Sequence, residues 1–263
     1  MTSQIPLKPG LQKLSRPAQP SLAYIYTESA GEGKKLPLLM FCGGYRSDMG
    51  GTKAVYLEER CQARGQAYVR FDYSGHGSSE GRFEDGTIGQ WKQDTLDILN
   101  HVCPAGPAVL AGSSMGGWIA LLVALGWKRT LNGLVGIAAA PDFSEEIYNR
   151  LTPAQKESLE KTGRVSADNH YSNEPYAFTR TLYLEAKNHI LLDKKHPVEF
   201  PIRLIQGMLD RDVPWQTAMK IQEAFTGSDV DVVMVEDGEH RLSRPGDLEL
   251  IDREIRSICE TCL

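Results

Sequence analysis

A serine hydroxyl is a weak nucleophile near neutral pH; it needs a base to take its proton and an acid to orient that base. Gly112-Ser113-Ser114-Met115-Gly116 has the G-x-S-x-G pattern that exposes a serine on a sharp turn. The apolar run 107–111 before it reads as a strand, and 118–123 after it reads as a helix. Strand, tight turn and helix in that order make a nucleophile elbow, whose glycines leave room for neighbouring backbone. The pattern centres on Ser114, since centring it on Ser113 would require glycine where Ala111 and Met115 stand. The bare pentapeptide also occurs in ordinary loops, so its flanks carry the reading.

Around such an elbow the partners follow in the order acid, then histidine. Residues 201–206 read as a short buried strand that breaks at Gly207-Met208-Leu209-Asp210. Asp210 is the first acid after it and is the expected orienting carboxylate. Asp212 is the alternative, though it also suits an Asx turn or a cap for the helix beginning near Trp215. The β-rich run 231–235 is followed by His240. There the imidazole can take the Ser114 proton at Nε2 while Asp210 holds Nδ1 and fixes the tautomer. His76 precedes the serine and lies in a glycine-rich turn, which suits hydrogen bonding within that loop. His101 ends a helix, where a cation meets the negative terminus. His170, His189 and His196 read as surface or pocket-lining residues.

Acyl transfer also develops an oxyanion that preorganised N–H groups must meet. The strand 36–42 leads into Gly43-Gly44-Tyr45. The expected donors are the backbone N–H of Tyr45, with Gly44 as the alternative, and that of Met115 after the nucleophile. Gly43-Gly44 would also fit an ordinary tight turn.

These motifs, with Met49, Gly51-Thr52-Lys53-Ala54, Arg70-Phe71-Asp72-Tyr73-Ser74-Gly75, Gly117-Trp118 and Asp212-Val213-Pro214-Trp215, carry a wider likeness. As a set they resemble the α/β-hydrolase domain-containing acyl-protein thioesterases and acyl-glucuronide esterases known from mitochondria, with their bacterial relatives. The resemblance runs from about residue 22 to the C-terminus. It implies a Ser114–Asp210–His240 triad, no metal or organic cofactor, and substrates that are S-acylated proteins, other acyl thioesters or activated esters such as acyl glucuronides. Two departures stand out. Cys42-Gly43 occupies the place where many α/β hydrolases have His-Gly, and residues 1–20 hold four prolines rather than an arginine-rich import helix. A cytoplasmic protein, or a processed mitochondrial form, is therefore expected. A general carboxylesterase acting on small esters is the competing enzyme reading, and a non-catalytic binding protein of the same fold the other. Serine at the elbow excludes a dehalogenase, which needs aspartate there.

Positioning these groups requires an alternating frame. Strand-like runs occur at 22–27, 36–42, 67–72, 107–112, 133–138, 202–207 and 231–235. Helical patterns fall at 52–64, 87–102, 116–125, 215–225 and 245–262, the last with Leu248, Ile251, Ile255 and Ile258 on one stripe. The alternation predicts an α/β protein with a mostly parallel central sheet flanked by helices, its reactive loops at the strand C-termini. Residues 141–200 lack strand signals and read as a helical cap insertion with helices at 145–151, 153–161 and 175–192. Its Phe143, Tyr148, Tyr171, Tyr176, Phe178 and Tyr183 either line an acyl pocket or pack the cap onto the body. The resulting division is a flexible arm 1–20, a core of 21–140 and 201–263, and a cap 141–200.

A chain of 263 residues suits one such domain, and a net charge of −5 argues against a nucleic-acid platform. No apolar run approaches the roughly 20 residues of a membrane span. Five cysteines, an odd number, suit thiols in a reducing compartment. Cys259-x-x-Cys262 alone lacks the further ligands a metal site needs. The oligomeric state is left open.

Overall fold

The computed structural model describes residues 10–127, 129–167 and 176–260. The first half of the chain supplies β1 (Leu11–Arg16), β2 (Gln19–Thr27), β3 (Leu38–Cys42), α1 (Thr52–Ala63), β4 (Tyr68–Phe71), α2 (Ile88–Val102), β5 (Ala108–Ser113), α3 (Met115–Gly126) and β6 (Leu131–Ile137). An excursion follows, made of α4 (Phe143–Arg150), α5 (Pro153–Thr162), β7 (Arg164–Ala167), β8 (Tyr176–Thr179), α6 (Arg180–Ala186) and the two-residue β9 (His196–Pro197). The chain ends with β10 (Ile202–Gly207), α7 (Gln216–Ala224), the two-residue β11 (Phe225–Thr226), β12 (Val230–Val235) and α8 (Pro245–Glu260).

Eight strands form the central sheet in the order β1-β2-β4-β3-β5-β6-β10-β12. From β4 to β12 every pairing is parallel; β2 alone runs against both its neighbours. Burial on both faces explains why β3 and the start of β5 read as apolar runs rather than alternating ones; β4 is equally buried, its one charge, Arg70, paired with Glu58 at 2.7 Å. Successive residues still serve opposite layers. Leu38, Met40 and Cys42 pack with α2 and α3, whereas Leu39 and Phe41 pack with α1 and α8. Helix α3 is apolar on all sides because it lies wholly inside, buried from Met115 to Ala124. The predicted stripe on α8 is buried as expected, with Ile251, Ile255 and Ile258 against the sheet.

Two predicted boundaries need correction. The arm expected over 1–20 contains a strand: Leu11–Arg16 pairs with Gln19–Thr27 as an antiparallel hairpin, turning where Ala18 takes φ +56°. The hairpin is pinned from a distance, by Arg16 donating to Asp94 at 2.7 Å and Asp97 at 2.8 Å, with the Asp94 carboxylate fully buried. Residues 1–9 of that arm lie outside the described residues. The helix expected over 175–192 begins only at Arg180, because Ala177 and Phe178 are paired as strand with Ser166 and Val165. Thr179 then caps α6, its Oγ1 accepting from Leu182 N–H at 3.1 Å.

Candidate active site

β5 delivers the chain to Ser114, which holds φ +55° and ψ −121°, a conformation strained for any residue with a Cβ. The strain is fixed by backbone bonds on both sides: Ser114 N–H donates to Ile137 O at 2.9 Å, and Ser114 O accepts from Gly117 and Ala140. The flanking glycines are steric necessities. A Cβ on Gly112 would stand 2.2 Å from Gly116 O, and one on Gly116 would stand 2.1 Å from Cys42 O. The side chain is thus set at the N-terminus of α3, above the C-terminal edge of the sheet.

The acid and the histidine arrive from the two loops beyond β10 and β12. These loops touch so closely that a Cβ on Gly207 would meet Gly238 O at 2.3 Å. Leu209 N–H donates to Gly238 O at 2.9 Å and ties the loops together. His240 Nδ1 then lies 2.8 Å from Asp210 Oδ2, and Nε2 lies 3.1 Å from Ser114 Oγ. The Asp210 carboxylate is fully buried. Its other oxygen accepts from the N–H groups of Asp212 and Val213, both at 2.9 Å, so Asp212 supports the loop and Asp210 is the residue on the ring. Asp210, Asp212 and His240 bring one donor atom each within 4.8 Å. That closeness is what the Asp210–His240 bond itself produces, with Asp212 two residues away.

Ser114 and His240 open into a cavity of about 580 Å³ that Gly44, Tyr45 and Met115 also line. A Cβ on Gly44 would lie 3.5 Å from Ser114 Cβ, which puts the turn after β3 directly beside Ser114. Ser47 holds that turn by donating from both N–H and Oγ to Gly44 O. Met115 is the first residue of α3, at the positive end of its dipole. The cavity wall is mixed. Phe143 and Ile147 come from α4, while Arg46, Lys53, Glu146, Arg150 and Arg241 add charge.

Residues 33–181 match the family model Hydrolase_4, described as serine aminopeptidase S33. Over 245 residues the chain is 39% identical to human mitochondrial palmitoyl-protein thioesterase ABHD10, covering 93% of this chain and 78% of that protein. The bovine protein of the same name is 38% identical over the same length. Among solved structures, a "putative hydrolase" from Agrobacterium vitis S4 superposes with TM-score 0.89 at 37% identity, covering 95% of this chain and 97% of that one. Mouse α/β-hydrolase domain-containing protein 10 gives TM-score 0.87 at 35% identity, over 96% and 99%. This chain belongs to the Hydrolase_4 family of α/β hydrolases. It is a serine hydrolase.

The other residues singled out in this hydrolase's sequence have the following surroundings; His196, expected at the surface or in the pocket wall, is buried away from the cavity. His76 is buried, with Nδ1 3.2 Å from Ser74 O, among Tyr73, Phe83 and Trp91. Desolvation lowers it to about 4, so it stays neutral and apart from the chemistry. His101 meets Tyr24 Oη at 3.0 Å, His189 meets Glu185 at 2.6 Å, and His196 meets Leu191 O at 3.0 Å. Burial pushes the Cys42 thiol up to about 12, which leaves it inert beside the nucleophile's turn. Of the insertion's aromatics, Phe143 lines the cavity, whereas Tyr148 stacks on Tyr183 at 4.1 Å and Phe178 is buried beside it. His170, Tyr171, Cys262 and the side chain of Tyr176 lie outside the described residues. Arg46 sits over the Phe83 ring at 5.0 Å on the cavity wall; Arg211 is exposed.

Two supporting residues escaped the sequence reading. Gln206 donates to Asp210 Oδ2 at 3.1 Å and also to Gly207 O and Val213 O. Its signal was an amide at a buried position of β10, in a strand whose other polar residue, Arg203, pairs with Asp229. Asp72 accepts from Met49 N–H at 2.6 Å and Ser78 N–H at 2.7 Å, joining the loops after β3 and β4.

Proposed function

We propose that this hydrolase cleaves acyl thioesters or esters, on S-acylated proteins or small molecules, through Ser114, His240 and Asp210. The observation that carries the reading is the unbroken hydrogen-bonded chain from the buried carboxylate through the imidazole to the hydroxyl. Ser114 Oγ attacks the acyl carbonyl as His240 Nε2 takes its proton, and Asp210 steadies the imidazolium that results. The tetrahedral oxyanion is met by the N–H groups of Tyr45 and Met115. His240 returns the proton to the departing thiol or alcohol, leaving an acyl-enzyme. Water, deprotonated by the same imidazole, then releases the acid. Thioesters are favoured as substrates because curated relatives 38% and 39% identical to this chain are named palmitoyl-protein thioesterases. A general carboxylesterase on small esters is the competing reading, and the charge on the cavity wall favours it. A chain-length series of matched thioesters and oxygen esters separates the two.

In this reading residues 141–200 act as the cap over the core of 21–140 and 201–263, since α4 contributes Phe143 and Ile147 to the wall that faces Ser114. The relatives are mitochondrial proteins, and among the described residues no helix is long and apolar enough to cross a membrane. We assign the enzyme to the cytoplasm, or to mitochondria if the chain is a processed form. Support comes from Cys42, Cys61, Cys103 and Cys259 being thiols, and cell fractionation checks it.

The deciding experiment is Ser114→Ala. The variant is expected to lose labelling by a fluorophosphonate probe and at least about 10³-fold in ester turnover. Labelling that survives the substitution would move the nucleophile to another serine and overturn the assignment.

A further inference from the structure

Lys53 is the second residue of α1, just past the loop that carries Gly44 and Tyr45. Its ammonium reaches across the cavity to the loop between β12 and α8. There Nζ donates to Arg241 O, the carbonyl immediately after His240, and to Ser243 Oγ at 3.4 Å. Ser243 Oγ also donates to Arg241 O at 2.9 Å, so that carbonyl gathers two donors. The turn they hold is not a relaxed one. Leu242 N–H bonds to Glu239 O at 3.2 Å, and Leu242 itself takes φ +42° with its side chain fully buried. A branched residue in left-handed backbone persists only where its surroundings over-determine it. The surroundings here are the core beneath Leu242 and the Lys53 ammonium above Arg241.

Resting on the reading of Ser114, His240 and Asp210 as the triad, we infer that Lys53 is a positioning residue. It clamps the strained histidine turn to the start of α1 and so sets the reach of His240 Nε2 to Ser114 Oγ. The clamp joins the two sides of the site, the oxyanion turn and the histidine loop, across a sequence separation of 188 residues. Its strength depends on charge, since an ammonium donates more strongly than a neutral amine. The charged groups around Nζ are Arg241 and Asp247, with His240 and Asp48 lining the same cavity. Burial first, then Arg241, lower the Lys53 ammonium to about 8, while Asp247 opposes them. The clamp is therefore charged well below about 8, half charged near it, and weakens as pH rises through it.

The test uses the whole enzyme with p-nitrophenyl butyrate, a neutral ester, and follows kcat, KM and fluorophosphonate labelling across the pH range. Lys53→Met is expected to lower kcat and the labelling rate roughly 10- to 100-fold, with KM within about twofold. Lys53→Arg, which keeps the charge and cannot lose it, is expected to restore most of the rate. It should also abolish the alkaline fall of the natural enzyme near pH 8. A folded Lys53→Met enzyme with unchanged kcat overturns the inference, as does an effect confined to KM. If Lys53→Met does not fold, Lys53→Arg decides alone, and an alkaline limb identical to that of the natural enzyme overturns the clamp. Failure of the unaltered enzyme to label or turn over at all would instead sink the hydrolase chemistry itself.

Discussion

Asp210 shows how much chemistry rests on one saturated carboxylate. It accepts from Asp212 N–H and Val213 N–H at one oxygen, and from Gln206 Nε2 and His240 Nδ1 at the other. Four donors fill its acceptor capacity and leave one orientation for the ring it holds. Gln206 is the member of this set that mutation can remove without touching backbone or triad. Gln206→Leu keeps the volume but takes away the donor, leaving a buried lone pair on Asp210 and two uncovered carbonyls at Gly207 and Val213. The expected cost is about 1–3 kcal/mol of stability, with kcat lowered about tenfold and KM little changed. Chemical denaturation and steady-state kinetics read the two effects separately. A kcat equal to that of the natural enzyme would show that backbone donors alone suffice to orient the acid.

At the scale of elements, the elbow works because two glycines permit an approach no other residue allows. Gly112→Ala would drive a Cβ to 2.2 Å from Gly116 O, where backbone and not a movable side chain stands in the way. The expected loss is at least about 3 kcal/mol, seen as a drop in thermal midpoint or as insoluble protein. A soluble variant with unchanged midpoint would mean that β5 and α3 can part at little cost. This steric demand is local, which is why the elbow, Ser114 and the alternating frame were legible in the sequence. Asp210 was legible because it comes first after β10, and His240 because it follows β12, each position following from chain order. What stayed hidden depends on partners remote in the chain. The strand β1 shows its reason only once Arg16 meets Asp94 on α2, 78 residues away. β8 carries the strand-favouring Tyr176, Phe178 and Thr179, but four residues are too few to mark a strand until β7 is seen to pair with them. Gln206 shows its purpose only once the loop carrying Asp210 and Val213 folds back over it.

Across the whole molecule, one chain of rings connects the excursion between β6 and β10 to the core beneath it. Phe143 meets Trp118 at 5.5 Å and Tyr45 at 5.6 Å; Tyr45 meets Phe83 at 4.8 Å; Phe83 meets His76 at 5.1 Å. Tyr45 Oη adds a bond to Ala177 O at 2.9 Å, so a residue that lines the cavity also tethers the far hairpin. His76 lies at the foot of this cluster, 4% exposed, with Nε2 buried and without a partner among the described residues. An imidazolium there would be a charge among rings, and burial accordingly lowers the group from 6.5 to about 4. Because the native value lies below that of the unfolded chain, the unfolded chain binds the proton first as pH falls. Stability is therefore unaffected above about 6.5 and is drawn down progressively toward about 4. The shift corresponds to about 3 kcal/mol over that window, a large part of what holds a typical domain together. His76→Phe keeps a ring in the cluster and removes the titration. Urea unfolding of both proteins between about pH 7 and pH 4 should show the natural enzyme losing about 3 kcal/mol more than the variant, with the gap opening below 6.5. Parallel losses in the two proteins would place the acid sensitivity elsewhere, in the carboxylates that the ion pairs of the fold hold ionised.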